Sequence, residues 1–193
     1  MPRGLVLQPT YRVRGGVPVV QLFGRLEDGA PFLVEETRYR PTFFVLADHR
    51  ELLDDEPDAV CELTHLRDLR GRRVARVTVP IPARVPPLRD RLQSRGAATF
   101  EADVRFPYRF LTDRGVRTGI DIRGEGREQP GGLRLFRDPD VAPAGDVRAA
   151  LTVASLDLET TPDAGRILCA SLVTNRGEER VRLLADAAPA HAA

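Results

Sequence analysis

The sequence contains no lysine; all 29 of its basic residues are arginine. A phosphate-binding P-loop needs a lysine after its glycines, and Schiff-base chemistry needs a lysine amine, so both are excluded. Cysteine is nearly absent as well. Cys61 and Cys169 are the only two and lie far apart, which gives no disulfide framework and fits a reducing, cytoplasmic setting. His49, His65 and His191 are too scattered for a zinc centre. Cys61 and His65 could share a helix face, but one such pair does not complete four-coordinate zinc. No apolar run approaches the ~20 residues that cross a bilayer. The opening Met1-Pro2-Arg3-Gly4-Leu5-Val6 is too short in its apolar part for a signal peptide. No membrane partner is expected.

What remains is an ordinary globular composition. The 193 residues are 42% hydrophobic, enough for one domain or two small ones, and the formal charge is +1. The charge is unevenly spread. Residues 51–62 are acidic, whereas residues 67–127 hold Arg70, Arg72, Arg73, Arg76, Arg105, Arg109, Arg114 and Arg117 among many arginines. Guanidinium groups suit bidentate phosphate contact. Asp68, Asp90, Asp103 and Asp113 are interspersed, so a solvated face of mixed charge is the alternative.

Turn chemistry divides the chain. Residues 4–8 and 17–26 flank Gly15-Gly16 and read as a hairpin, and Asp28-Gly29 turns into a further strand at 32–35. Residues 43–47 form a short continuous apolar run, as in a buried strand. Asp48 with Glu51 predicts a capping box opening a short helix. Strands are expected at 59–63 and 73–79. Pro86-Pro87 opens a helix in which Leu88 and Leu92 share a face, and a strand follows at 98–102. This order is the split βαβ pattern, β-α-β-β-α-β. The strands at 59–63 and 73–79 carry no aromatic residue, so a stand-alone RNA reader of that fold is not expected. A helix begins at Pro107, and Ile120-Asp121-Ile122 is a brief strand. Glycine, proline and charge then predict a linker from about 123 to 150. Strands are expected at 167–174 and 180–184 around the turn Asn175-Arg176-Gly177. Residues 185–193 form a small-residue tail expected to fray.

The chemistry is carried by Ala154-Ser155-Leu156-Asp157-Leu158-Glu159-Thr160-Thr161-Pro162. On a strand, residues i and i+2 share a face. Asp157 and Glu159 therefore point one way, with Leu156 and Leu158 expected in a core on the other. Two carboxylates on one face repel unless a cation lies between them, and hard oxygen donors suit Mg²⁺ or Mn²⁺. Such a pair is the usual start of a two-metal site that cleaves phosphodiesters. A solvated acidic strand face is the alternative.

Four segments appear in a telling order. Arg40-Pro41-Thr42-Phe43-Phe44-Val45 is an Arg-Pro-aromatic strand. Glu101-Ala102-Asp103-Val104-Arg105 leads into the helix Phe106-Pro107-Tyr108-Arg109-Phe110-Leu111. Arg137-Asp138-Pro139-Asp140 sits in the expected linker, and Ser155-Leu156-Asp157-Leu158-Glu159-Thr160-Thr161 closes the series. At these separations the set resembles the N-terminal part of a family B DNA polymerase, bacterial polymerase II type, over nearly the whole chain.

The resemblance implies an α+β fold: an N-terminal β-meander and a ferredoxin-like βαββαβ domain over 1–150, then the first strands of a ribonuclease H-like 3′→5′ exonuclease domain over 151–193. It implies a DNA-directed DNA polymerase with proofreading in replication and repair. Asp157 and Glu159 correspond to catalytic, metal-binding carboxylates, with Mg²⁺ or Mn²⁺ in a two-metal site completed by residues beyond this chain. The implied partners are the single strand of template or primer DNA, deoxynucleotides, and a sliding clamp for the full enzyme, in the bacterial cytoplasm with the nucleoid. The further aspartates and the tyrosine of that nuclease come from later motifs, whereas Tyr11, Tyr39 and Tyr108 all precede Asp157. The chain is therefore expected to be part of a longer protein and inactive by itself, with 1–150 folding independently and 151–193 loosely held. The other reading is a stand-alone, non-catalytic module that binds single-stranded nucleic acid, its acidic pair structural.

Overall fold

The computed structural model describes residues 1–184; the tail at 185–193, with its expected fraying, lies outside the described residues. The chain divides into two compact units, Met1–Ala149 and Ala150–Ala193.

The first unit starts as the meander its turns dictate. β1 (Arg3–Arg14) and β2 (Val17–Leu26) pair with Arg14 opposite Val17, so Gly15 and Gly16 form a two-residue turn at φ 55° and 79°. Both positions need positive φ, which glycine adopts without cost. The Asp28 carboxylate accepts the N–H of Ala30 at 3.0 Å in the next turn, leading to β3 (Pro31–Glu36).

Residues 42–100 form a separate four-stranded antiparallel sheet. Its strands are β4 (Thr42–Leu46), β5 (Val60–Arg67), β6 (Arg73–Thr78) and β7 (Thr99–Phe100), in the order β5-β6-β4-β7. A 3-10 helix (Ala47–Leu53) follows β4, and α1 (Val85–Ser94) follows β6. One sheet face packs on these helical segments through Phe43, Val45, Ala75, Val77, Leu53, Leu88 and Leu92. The expected capping box is absent. The chain turns helical two residues earlier, so Leu46 holds the cap position and Asp48 lies within the first turn, making no cap hydrogen bond.

α2 (Phe106–Asp113) then covers the large sheet. β8 (Gly119–Arg123) pairs antiparallel with β1. The stretch expected as a linker instead supplies three strands: β9 (Gly126–Gln129), β10 (Leu133–Arg137) and β11 (Asp140–Pro143). β10 pairs parallel with β3, and β11 pairs antiparallel with β8. The result is one seven-stranded sheet, β11-β8-β1-β2-β3-β10-β9. Of the glycines and prolines of 124–145, Gly124, Pro130, Gly131, Gly132 and Pro139 occupy its tight connections, while Gly126 and Pro143 lie at strand ends. β9 is polar and exposed because it is an edge strand, where charges such as Arg127 and Glu128 discourage further pairing.

Asp138 holds the β3–β10 junction. Its N–H donates to the Glu35 carbonyl at 2.7 Å, and its carboxylate accepts the N–H of Thr37 at 2.6 Å and the Thr37 hydroxyl. The core beneath holds Phe32, Phe110 and Phe136, all fully enclosed, each burial contributing about 1.5–3 kcal/mol.

Within residues 150–184 of the second unit there are three strands in the order β12-β13-β14: β12 (Ala154–Thr160), β13 (Ile167–Thr174) and β14 (Glu179–Leu183). The turn at 175–177 has Gly177 at φ 80°. The Asn175 side chain accepts the N–H of Val153 and donates to the Leu151 carbonyl, both at 3.0 Å.

Candidate functional site

Asp157 and Glu159 lie on β12, two residues apart on one face, opposite Ser171 and Cys169 of β13. A register irregularity follows Glu159, so Thr160 pairs with Ile167. Both carboxylates are exposed, and Asp157 Oδ1 accepts the N–H of Leu158 at 3.1 Å. The pair is thus open to a cation from solvent. Its hard oxygens fit Mg²⁺ or Mn²⁺ in donor chemistry. They do not fill a coordination sphere: among the described residues there is no cluster of three or more His, Cys, Asp or Glu able to hold a metal.

Leu156 and Leu158 do not enter a core as expected; they are 65% and 46% exposed. Alternation along β12 is intact, but a strand face is buried only when another layer packs on it. Within residues 150–184 the regular elements are the three strands alone.

The turn after β12 is built by Asp163. Its carboxylate accepts the Thr161 hydroxyl and the N–H of Gly165, and the Thr161 bond leads in holding its pKa below the usual carboxylate range. Asp163 is therefore occupied locally.

No protein-family model matches the chain. Over 123 residues, 56% of the chain, it is 32% identical to DNA polymerase 2 of Aeropyrum pernix. Over 145 residues, 69% of the chain, it is 29% identical to a DNA polymerase of Archaeoglobus fulgidus. The solved family B DNA polymerase of the hyperthermophilic archaeon Pyrobaculum calidifontis has the same fold over 95% of this chain, with a TM-score of 0.75 and 23% identity. The chain is thus similar in sequence to two DNA polymerases and shares the fold of part of a third. It spans 15% and 18% of the length of the two curated relatives and 27% of the solved chain. These three proteins are archaeal.

The arginine-rich span sorts into paired and unpaired residues. Arg72 bridges Asp68 at 2.7 Å and Arg91 bridges Glu56 at 2.6 Å; Arg84 pairs with Asp58 and Arg89 with Asp90. These account for much of the span as a mixed-charge surface, where exposed ion pairs contribute little stability. Arg70, Arg105 and Arg117 have no carboxylate partner among the described residues.

Sequence reading missed the cluster around Arg109. On α2 this side chain is buried, with 6% of its surface exposed. It pairs with Glu101 and lies 4.9 Å from the Phe44 ring centroid. Its Nε is 2.9 Å from Asp113 Oδ1, but the N–H does not point at that oxygen, so the contact is coulombic rather than a hydrogen bond. Burial works against the guanidinium charge, but Glu101 and Asp113 more than offset it and raise the pKa. The Tyr39 hydroxyl donates to Asp113 Oδ2 at 2.6 Å, and its ring stacks on Phe106. The available signal was an arginine set between Phe106 and Phe110 on an apolar helix.

Burial pushes the Tyr39 phenol well above its usual range, and Asp113 acts in the same direction. The folded state therefore holds this proton longer than the unfolded chain. The resulting stability is fully present below the unfolded value of about 10 and is lost as pH rises toward the folded one. Urea unfolding of the wild type is expected to weaken steeply above that pH. Tyr39→Phe should flatten the dependence, and identical alkaline slopes would refute the assignment.

Proposed function

We propose that the chain is the N-terminal part of a DNA-directed DNA polymerase and, more finely, of a polymerase II-type enzyme with a 3′→5′ proofreading exonuclease in replication and repair. The observation that carries this reading is the sequence similarity to two DNA polymerases together with a fold shared over 95% of the chain. The same reading takes residues 1–150 as the N-terminal domain and 151–193 as the start of a ribonuclease H-like nuclease domain. It takes the sheet at 42–100 as ferredoxin-like, which the order β5-β6-β4-β7 supports.

Asp157 and Glu159 would hold Mg²⁺ or Mn²⁺ from one strand face, the remaining ligands coming from later residues. Such ions, when bound, activate water and stabilise the leaving oxygen. The task of the pair is to fix the cation against the strand, and β12 holds both side chains on one face for it. The partners of the full enzyme are single-stranded template or primer DNA, deoxynucleotides and a sliding clamp, in a bacterial cytoplasm at the nucleoid. Among the described residues no helix is long and apolar enough to cross a membrane. The similarity to polymerases weighs against a stand-alone nucleic-acid-binding module.

The test is primer extension by the product of the complete reading frame containing this chain. With a primed single-stranded template, deoxynucleotides and Mg²⁺, extension of the primer is expected. A complete product that binds the primed template but adds no nucleotide would overturn the proposal.

A further inference from the structure

The second face of the four-stranded sheet is not covered by its own helices. Cross-strand partners share a face, so Phe44 shares this one with Arg76 of β6 and Phe100 of β7. Phe44, Leu46 and Val74 form a small apolar cluster here, with Ala98 and Phe100 packed against it. Part of it lies under Arg109. Phe44, Val74 and Phe100 floor an open groove of about 880 Å³, walled by the β5–β6 hairpin at residues 66–72 and by β7. That volume is within the range of ligand sites, roughly 300–1,000 Å³.

The wall of this groove is basic once its ion pairs are removed. The Asp68 carboxylate accepts the N–H groups of Arg70 and Arg72 and the Arg72 guanidinium. Glu101, across the groove, is taken by Arg109. Both acidic side chains are thus neutralised within the fold. Arg67 donates only to the Gly71 carbonyl at 2.7 Å, Arg70 has no side-chain partner among the described residues, and neither faces a carboxylate. Leu66 and Leu69 are exposed on the same wall.

An apolar, aromatic floor beneath an uncompensated guanidinium rim is the pattern that takes a single nucleic-acid strand: bases pack on the floor while phosphates meet the arginines. We propose that this groove binds single-stranded DNA, with Phe100 as the contact for a base and Arg67 and Arg70 as phosphate contacts. The assignment rests on the polymerase reading for the choice of DNA, and it gives that reading a specific surface.

The test is fluorescence anisotropy of a labelled oligothymidylate against the 193-residue chain, across a salt series. The wild type should bind with salt-sensitive affinity. Removing one phosphate-binding arginine lowers the slope of log K against log salt by about 0.7 for single strands, so Arg67→Ala with Arg70→Ala should lower it by about 1.4. Phe100→Ala should weaken binding about ten-fold with an unchanged salt slope, because base stacking carries no counterion release. Arg123→Ala with Arg127→Ala, on the large sheet, should change nothing. Salt-sensitive binding that survives the Arg67/Arg70 pair at full slope would overturn the groove while leaving the polymerase reading standing. Absence of any binding by the wild type at low salt would overturn the groove as well, whereas the polymerase reading is decided separately by primer extension. Folding of each variant is checked by its thermal unfolding; the two arginines are exposed, so their double variant keeps the test decisive should Phe100→Ala fail to fold.

Discussion

On the proposed polymerase reading, the complete protein containing this chain and carrying both Asp157→Ala and Glu159→Ala is expected to degrade a labelled primer about 10³-fold more slowly than its parent, while extending that primer at an unchanged rate. The magnitude follows from losing the cation that stabilises the transition-state charge, worth several kcal/mol, at 1.36 kcal/mol for each factor of about ten. No compensating ligand is at hand on β12 or its turn. Asp163 is engaged by Thr161 and Gly165, and the residues opposite are Ser171 and Cys169. By the same logic the isolated chain should leave a labelled single strand intact with Mg²⁺ or Mn²⁺. Undiminished primer degradation by the double variant would remove these carboxylates from the proposed site. Cleavage by the isolated chain that vanished in the double variant would mean that the site is completed within these residues.

Gly24→Ala should destabilise the first unit by about 4 kcal/mol, near the upper end of single substitutions and a large part of a typical domain stability of about 5–15 kcal/mol. Gly24 lies in β2, opposite Val6 of β1 and Phe32 of β3. A Cβ there would stand 2.1 Å from the Leu5 carbonyl oxygen and 2.5 Å from the Phe32 ring. The Phe32 ring also lies against Gly4, whose own Cβ would meet it at 2.6 Å. The two glycines thus make the space in which a fully buried phenylalanine crosses the sheet. The decisive obstacle is backbone. Shortening the ring with Phe32→Leu should therefore recover little of the loss, because the Leu5 oxygen is fixed by the β1–β2 ladder. Urea unfolding measures both variants. A loss under about 1 kcal/mol, within the ordinary range for a point substitution, would show that the strands part without cost.

Local chemistry made much of this fold legible. Gly15-Gly16 and Asp28-Gly29 fix hairpins because their backbone conformations belong to few residue types, and the turns appear where those residues stand. Leu88 and Leu92 share the buried face of α1 because four residues make about one helical turn. The strand carrying Asp157 and Glu159, and the common face of the two side chains, follow from alternation alone.

What sequence could not determine depends on partners distant along the chain. The parallel pairing of β10 with β3 is pinned by Asp138 on Thr37 across 101 positions. Nothing local marks β9 and β11 as strands, since both are short edge strands whose connections are rich in glycine and proline. β10, with Leu133, Leu135 and Phe136, lies inside the sheet between β9 and β3 only through its pairing with β3, distant along the chain. Asp48 with Glu51 satisfies a capping pattern, but that helix starts two residues earlier, with Leu46 at the cap position. Arg109 is one of many arginines in sequence; the fold alone places it between Glu101, Asp113 and the Phe44 ring. Phe44 and Phe100 become neighbours only when β4 and β7 pair, which turns two separate aromatics into one floor. The exposure of Leu156 and Leu158 has the same origin: a strand's sequence sets which side chains share a face, whereas burial of that face is decided by whatever layer the tertiary structure lays upon it.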